Sequence, residues 1–181
     1  DRGELRIDRC SAAPVPTALI CTHCQRTYPL EDGIPDLRVL SGDATEVEAK
    51  RHEIAVRDAE AYHLYDAIVG AYRTRLEKQV IFRSLDSLPG KLVLDLGCGT
   101  GRITQSLVQA QARVLGVDYS VGSLREALVK VGGWNRGLGV LAADATNAPL
   151  RDASFDVVVS SQVLEHIPSA TLRRDFLATI S

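Results

Sequence analysis

The chain has 181 residues, 45% of them hydrophobic and 24% charged, which is material for one medium domain plus a small appendage. A formal net charge of −2 and a pI near 6.1 argue against a strongly basic nucleic-acid binder. No apolar run approaches the roughly 18 residues of a membrane span and no signal-peptide pattern opens the chain, so a soluble cytoplasmic protein is expected.

Residues 1–40 form the appendage. An extended apolar run, Pro16 to Ile20, leads into Cys21-Thr22-His23-Cys24, and Asp32-Gly33 with Pro29 and Pro35 marks turns rather than helix. A C-x-x-C between short strands is half of a zinc ribbon, since Zn²⁺ takes four ligands in a tetrahedron. Cys21 and Cys24 supply two. Cys10 is the candidate third thiolate and His23 or His52 the fourth ligand, unless the missing pair lies upstream of Asp1. A metal-free remnant and a thiol redox pair are the alternatives, the latter disfavoured because no helix follows to lower a thiol pKa. The pattern Cys24-x-x-x-Tyr28-Pro29-x-x-x-Gly33-Ile34-Pro35-x-Leu37 resembles the small zinc-ribbon modules of the Trm112 type, which occur alone or ahead of bacterial methyltransferases. The usual first C-x-x-C of those modules is absent.

Residues 41–90 read as two helices. Thr45 with Glu48 makes a capping-box pattern, and the stretch from Glu46 to Val69 is rich in alanine and charge before turning apolar. A second helix is expected from Tyr72 to Leu88, ending before Pro89-Gly90. Its basic series, Arg73, Arg75, Lys78 and Arg83, reads as a solvated face in preference to an anion site.

Residues 91–181 carry the chemistry. Leu92 to Leu96 is a buried apolar strand with an acid, Asp95, near its end. It runs into Gly97-Cys98-Gly99-Thr100-Gly101-Arg102 and then a helix expected from Arg102 to Ala112. Glycine tolerates φ > 0 and has no Cβ, so a ligand can lie against such a turn. A dinucleotide fingerprint would place its third glycine at Arg102, but here that glycine comes one residue early. Cys98, inside the turn, reads as a small turn residue rather than a nucleophile. A second strand from Arg113 ends in Asp118-Tyr119. An acid at that place, about 20 residues after the glycine turn, reaches ribose hydroxyls. A third strand, Gly137 to Ala142, leads to Ala143-Asp144-Ala145. A fourth, Phe155 to Ser161, is followed by Gln162-Val163-Leu164-Glu165-His166-Ile167, and a last helix spans 169–181.

An acid two residues before G-x-G-x-G resembles motif I of the class I methyltransferases that depend on S-adenosylmethionine (SAM). The Phe-Asp-Val-Val-x-Ser element followed by Val-Leu-Glu-His-Ile resembles the ubiquinone-biosynthesis type. The likeness spans roughly residues 91–168. It implies an α/β, Rossmann-like fold with a parallel sheet, preceded by N-terminal helices that act as a lid over the cofactor and by the zinc-ribbon-like segment. It implies SAM as the cofactor, with Zn²⁺ the second candidate. Asp95, Gly97, Cys98, Gly99 and Gly101 would face the methionine half, Asp118 and Tyr119 the ribose, and Asp144 and Ala145 the adenine. Ser161 and a lid tyrosine, Tyr65 beside Asp66, complete the expected set. Sheets of this family have seven strands where the sequence offers four, and the chain has no methionine, so a fragment is expected at both ends.

SAM carries a methyl group already activated as a sulfonium substituent, so the protein's main task is positioning. His166 is the candidate general base, with Glu165 behind it. The acidic balance favours a small-molecule acceptor over an RNA or translation-factor one. A non-catalytic scaffold built on the same fold is the remaining alternative.

Overall fold

The computed structural model describes residues 5–8, 17–59, 71–134 and 137–180. Its centre is a parallel sheet of four strands, β5 (Leu92–Leu96), β6 (Arg113–Asp118), β7 (Leu138–Ala142) and β8 (Val157–Val159), in the order β7-β6-β5-β8. The strands read as near-continuous apolar runs because both faces are covered, as parallel sheets require. Alternate side chains enter two separate cores. Val93, Val114, Leu138 and Val140 pack with Leu107, Leu124 and Leu128 on one face. Leu94, Leu96, Val117 and Leu141 pack with Leu172 and Phe176 on the other.

Helices α3 (Thr104–Gln109) and α4 (Val121–Val131) therefore lie on the first face and α5 (Ala170–Thr179) on the second. Ser120 starts α4, its hydroxyl accepting from the Ser123 amide, and left-handed Gly132 ends it, a Ser-to-Gly pair of caps. Helix α3 is shorter than the expected 102–112. The glycine turn runs on through Ile103, and Gln111 at φ 63° closes the far end. Strand β8 is likewise shorter than the expected 155–161.

The appendage forms an antiparallel sheet in the order β1 (Leu5–Asp8), β2 (Ala18–Cys21), β3 (Thr27–Glu31), β4 (Ile34–Pro35). Asp32 and Gly33, at φ 52° and 81°, make the tight β3–β4 turn that the Asp-Gly pair signalled. This sheet is joined to the parallel one. The Leu37 amide donates to the Ala142 carbonyl at 2.8 Å, and Asp36 bridges Ala142 in parallel. Ile34 is fully buried in the first core, and Arg125 of α4 pairs with Glu31 and Asp32.

Helix α1 (Ala44–Asp58) starts earlier than its expected box. Asp43, not Thr45, is the N-cap: its carboxylate accepts from the Glu46 amide at 2.9 Å while Glu46 accepts from the Asp43 amide at 2.8 Å. Both positions fit the box spacing. Left-handed Gly42, at φ 115°, turns the chain just before Asp43 and decides between them. Helix α2 (Ala71–Arg83) stops short of Leu88, which turns inward with Leu85 to join the first core. No helix among the described residues is long and apolar enough to cross a membrane.

Candidate functional site

Strand order reverses beside β5, whose chain continues through α3 to β6 on one side while β8 pairs on the other. Open α/β sheets bind ligands in the crevice at such a point, outside the carboxyl ends of the strands. The crevice is present, in two adjoining parts. Gly97, Asp118, Tyr119, Asp144, Ala145, Val163 and Ile167 line one part. Asp95, Gly97, Cys98, Gly99, Thr100, Arg102 and Ser161 line the other. Arg57, Gln162 and His166 border both.

Each glycine of the turn has its own reason. All three have positive φ, 79°, 51° and 78° for Gly97, Gly99 and Gly101. A Cβ on Gly97 would lie 2.2 Å from Val163 Cγ2, and one on Gly101 would lie 2.8 Å from the Ala127 Cα, so α4 can only pack here against a glycine. A Cβ on Gly99 meets nothing within 4 Å, because that glycine faces the open crevice. Cys98 is buried beneath the turn with its sulfur against Gly116, and burial, with the charges of Asp118 and Asp95, pushes its thiol well up. That is a packing residue rather than a nucleophile.

Asp95 and Asp118 are both buried. Burial pushes the Asp95 carboxyl up to about 6, against the pull of the Thr104 hydroxyl, which donates to it at 2.6 Å. Burial also raises Asp118, against amides that donate to it from Ser120 at 3.0 Å and Gly99 at 2.9 Å. The Gly99 bond ties the end of β6 to the glycine turn. Two donors leave about two of the roughly four acceptor sites of a carboxylate open.

Asp144 differs. Its Oδ2 accepts from the Lys50 ammonium at 2.7 Å and the Ser41 amide at 3.1 Å, while the Ser41 hydroxyl, 3.2 Å away, lies nearer the Thr146 hydroxyl at 2.7 Å. Its Oδ1 accepts from the Thr146 amide at 2.9 Å and hydroxyl at 2.7 Å. Burial alone would raise this carboxyl, but the Lys50 ammonium, the Ser41 amide and Thr146 hold it below the usual carboxylate range. The ion pair is all but sealed, Lys50 being 4% and Asp144 2% exposed.

Lys50 belongs to α1, which lies over the crevice. Three residues on, Glu53 approaches His166 Nδ1 at 3.2 Å and accepts from Arg57 at 2.8 Å. Asp58, at the end of the helix, accepts from the Ser120 hydroxyl at 2.5 Å and the Gly122 amide at 3.0 Å, an anion at the start of α4. Helix α2 adds Glu77, whose carboxylate takes Arg102, Ser161 and Gln162 together. Arg102 thus has a partner at the position where a dinucleotide site would need glycine.

Lys50, Glu53, Arg57, Asp58 and Glu77 were not among the expected site residues. Their signal was present in the spacing. Positions 50, 53 and 57 share one helical face, which on α1 is charged where an ordinary packed helix would be apolar. Tyr65, Asp66 and Cys10 lie outside the described residues. Arg73, Arg75 and Arg83 are exposed, as a solvated face requires, whereas Lys78 is half-buried.

Cys21 ends β2 and Cys24 lies in the turn after it. The Cys24 and His23 amides lower the Cys21 thiol. Strand β3, not a helix, follows. Two thiols are half of a tetrahedral zinc set. Among the described residues no cluster of three or more His, Cys, Asp or Glu side chains could complete one, so these residues alone do not fit a zinc ion.

Residues 94–180 match the family model described as "Methyltransferase domain". This segment, a little under half of the chain, is similar to that family. Across 129 residues the chain is 36% identical to demethylmenaquinone methyltransferase of Thermobifida fusca (strain YX), covering 71% of this chain and 53% of that protein. Across 132 residues it is 36% identical to a probable tRNA methyltransferase 9B of Mus musculus, covering 72% of this chain and 26% of that one. The chain thus spans about half the length of the first relative and about a quarter of the second. The fold is that of magnesium protoporphyrin IX methyltransferase from Synechocystis PCC 6803, solved with bound SAM. That structure has a TM-score of 0.59 at 20% identity, over 78% of this chain and 72% of that one.

The packing of the turn yields one expectation. In urea unfolding, Gly101→Ala should lose about 2–4 kcal/mol, from left-handed strain plus the collision with Ala127, and Gly99→Ala only the strain of about 1–2 kcal/mol. Equal losses would show that α4 does not hold the turn.

Proposed function

We propose that the chain binds SAM in this crevice and transfers its methyl group to a small-molecule acceptor. The observation that carries the reading is the pair of buried carboxylates, Asp95 and Asp118, flanking a glycine turn whose middle glycine faces open space. In this reading the open acceptor sites of Asp118 take the ribose diol, with Tyr119 beside it. The methionine half lies along Gly97 to Gly99, with Asp95 beneath and Ser161 opposite. The base lies toward Ala145, Ile167 and Pro168. SAM supplies the electrophilic methyl group. The chain's residues orient it and exclude water beneath α1.

His166 borders both parts of the crevice, and Glu53 supports its ring from α1. We assign it the removal of a proton from the acceptor as the methyl group arrives. A transfer that needed no base would leave His166 as a wall residue.

Similarity to a demethylmenaquinone methyltransferase, the net charge of −2 and the apolar wall of Val163, Ile167 and Pro168 favour a small acceptor. Equal identity with a probable tRNA methyltransferase supports RNA as the second reading. No step of either runs through zinc.

Calorimetric titration with SAM tests the cofactor reading. Asp118→Ala should weaken binding by about 1–3 kcal/mol, the worth of hydrogen bonds to a buried carboxylate. Wild-type affinity in that variant would favour a scaffold, and binding of NADH in place of SAM would favour a dehydrogenase.

The same titration has a pH signature. A cationic ligand prefers ionised Asp95, and in the free protein this carboxyl sits at about 6. Affinity should therefore rise with pH through that value and be about tenfold weaker at pH 5 than at pH 7. Asp118, also raised by burial, acts in the same direction. Without ligand the sign reverses for stability: the raised Asp95 stabilises the fold fully below about 4 and loses that contribution as pH rises through 6. A flat affinity profile would remove Asp95 from the cofactor's surroundings.

In a screen of acceptors followed by mass spectrometry, His166→Gln should slow transfer by about 100- to 10,000-fold with cofactor affinity nearly unchanged. An unchanged rate would dismiss the base.

A further inference from the structure

The carboxylate at the end of β7 stands where an acid would be expected to accept from the adenine amino group, yet its surroundings are unlike those of Asp118. A carboxylate offers about four lone-pair directions. Asp118 uses two of them on protein donors, whereas four fill those of Asp144: the Lys50 ammonium, the Ser41 amide, and the Thr146 amide and hydroxyl, the Ser41 hydroxyl turning to Thr146 at 2.7 Å. No direction is left for a fifth.

Lys50 is equally committed. An ammonium has three protons, and this one has acceptors in the Ser41 carbonyl at 2.8 Å, Asp144 at 2.7 Å and the Thr146 hydroxyl at 2.8 Å. The three segments that meet here are the irregular stretch leaving the appendage, α1 and the loop after β7. Withdrawing Lys50 would leave two nearly sealed charges without partners, which is strongly destabilising. A neutral amine offered by a ligand does not replace an ammonium at a carboxylate with a lowered pKa.

We infer that Lys50, by occupying Asp144, keeps that carboxylate from reading the adenine amino group, so that this site accepts a purine nucleoside without selecting for its 6-amino substituent. Asp144 is the counter-ion that fastens α1 over the crevice. Discrimination of the cofactor falls to the ribose, through Asp118, and to the methionine half, while the purine is held by shape among Ala145, Val163, Ile167 and Pro168. Lys50 is a specificity-determining residue in this account, through what it withholds. The inference rests on the SAM reading of the crevice.

The test compares S-adenosylhomocysteine with its analogue carrying hydrogen in place of the 6-amino group, each titrated into the whole chain. The wild type should bind the two within about threefold, less than the roughly 10-fold or more that a hydrogen bond to a charged acceptor confers. Lys50→Met frees one acceptor site on Oδ2, the other staying with the Ser41 amide, and should create a preference for the amino compound of about 10-fold or more. A wild-type preference of that size would overturn the inference, since Lys50 would then have to leave Asp144 when ligand binds. Binding of neither compound would overturn the SAM reading beneath it. The wild-type comparison decides alone, so a Lys50→Met protein that fails to fold leaves the test standing.

Discussion

The buried pair between Lys50 and Asp144 is the contact on which the rest of the site depends. It joins a helix to the end of a strand across the mouth of the crevice, and both partners are almost removed from water. Such a pair contributes little net stability over an apolar contact of the same shape, but loss of either partner costs about 3–5 kcal/mol. It therefore acts as a constraint on where α1 lies. With Lys50 fixed, the turns of the helix that follow bring Glu53 to His166, Arg57 to the border between the two halves of the crevice and Asp58 to the start of α4.

The other side of the site is fixed by the absence of side chains. Gly101 allows α4 to lie close on the turn, Gly97 makes room for Val163, and Gly99 is left facing the cavity. The Asp118 carboxylate then locks the turn through the Gly99 amide while keeping acceptor sites open. One wall is built of buried acids on strand ends. The facing wall is built of charges on helices, tied down by Lys50–Asp144 and Glu77–Arg102.

Much of the parallel sheet was legible because its signals are local. The run from Leu92 to Leu96 into three glycines, and Asp118 at the next strand end, follow from periodicity and backbone conformation alone. The boundaries of α3 and β8 were not legible, because they are set by turns that compete with propensity, as Gln111 at φ 63° does. The capping residue was misplaced by two positions because two overlapping boxes fit, and only the twist at Gly42 separates them. The lid contacts were the least legible. Lys50 and Asp144 lie 94 residues apart, and nothing in either local sequence names the other as partner. The charged stripe on α1 announced a polar face but not what it would face. The appendage was half legible: its hairpin and Asp-Gly turn follow from composition, while the burial of Ile34 in the larger core does not.

A crystal structure of the chain with S-adenosylhomocysteine would test most directly the claim that α1 stays fastened over an occupied cofactor site. The account predicts the ribose hydroxyls on Asp118 and Lys50 Nζ still within hydrogen-bonding distance of Asp144, with the 6-amino group turned to other partners. Density showing Lys50 swung out and the adenine amino group on the Asp144 carboxylate would contradict it.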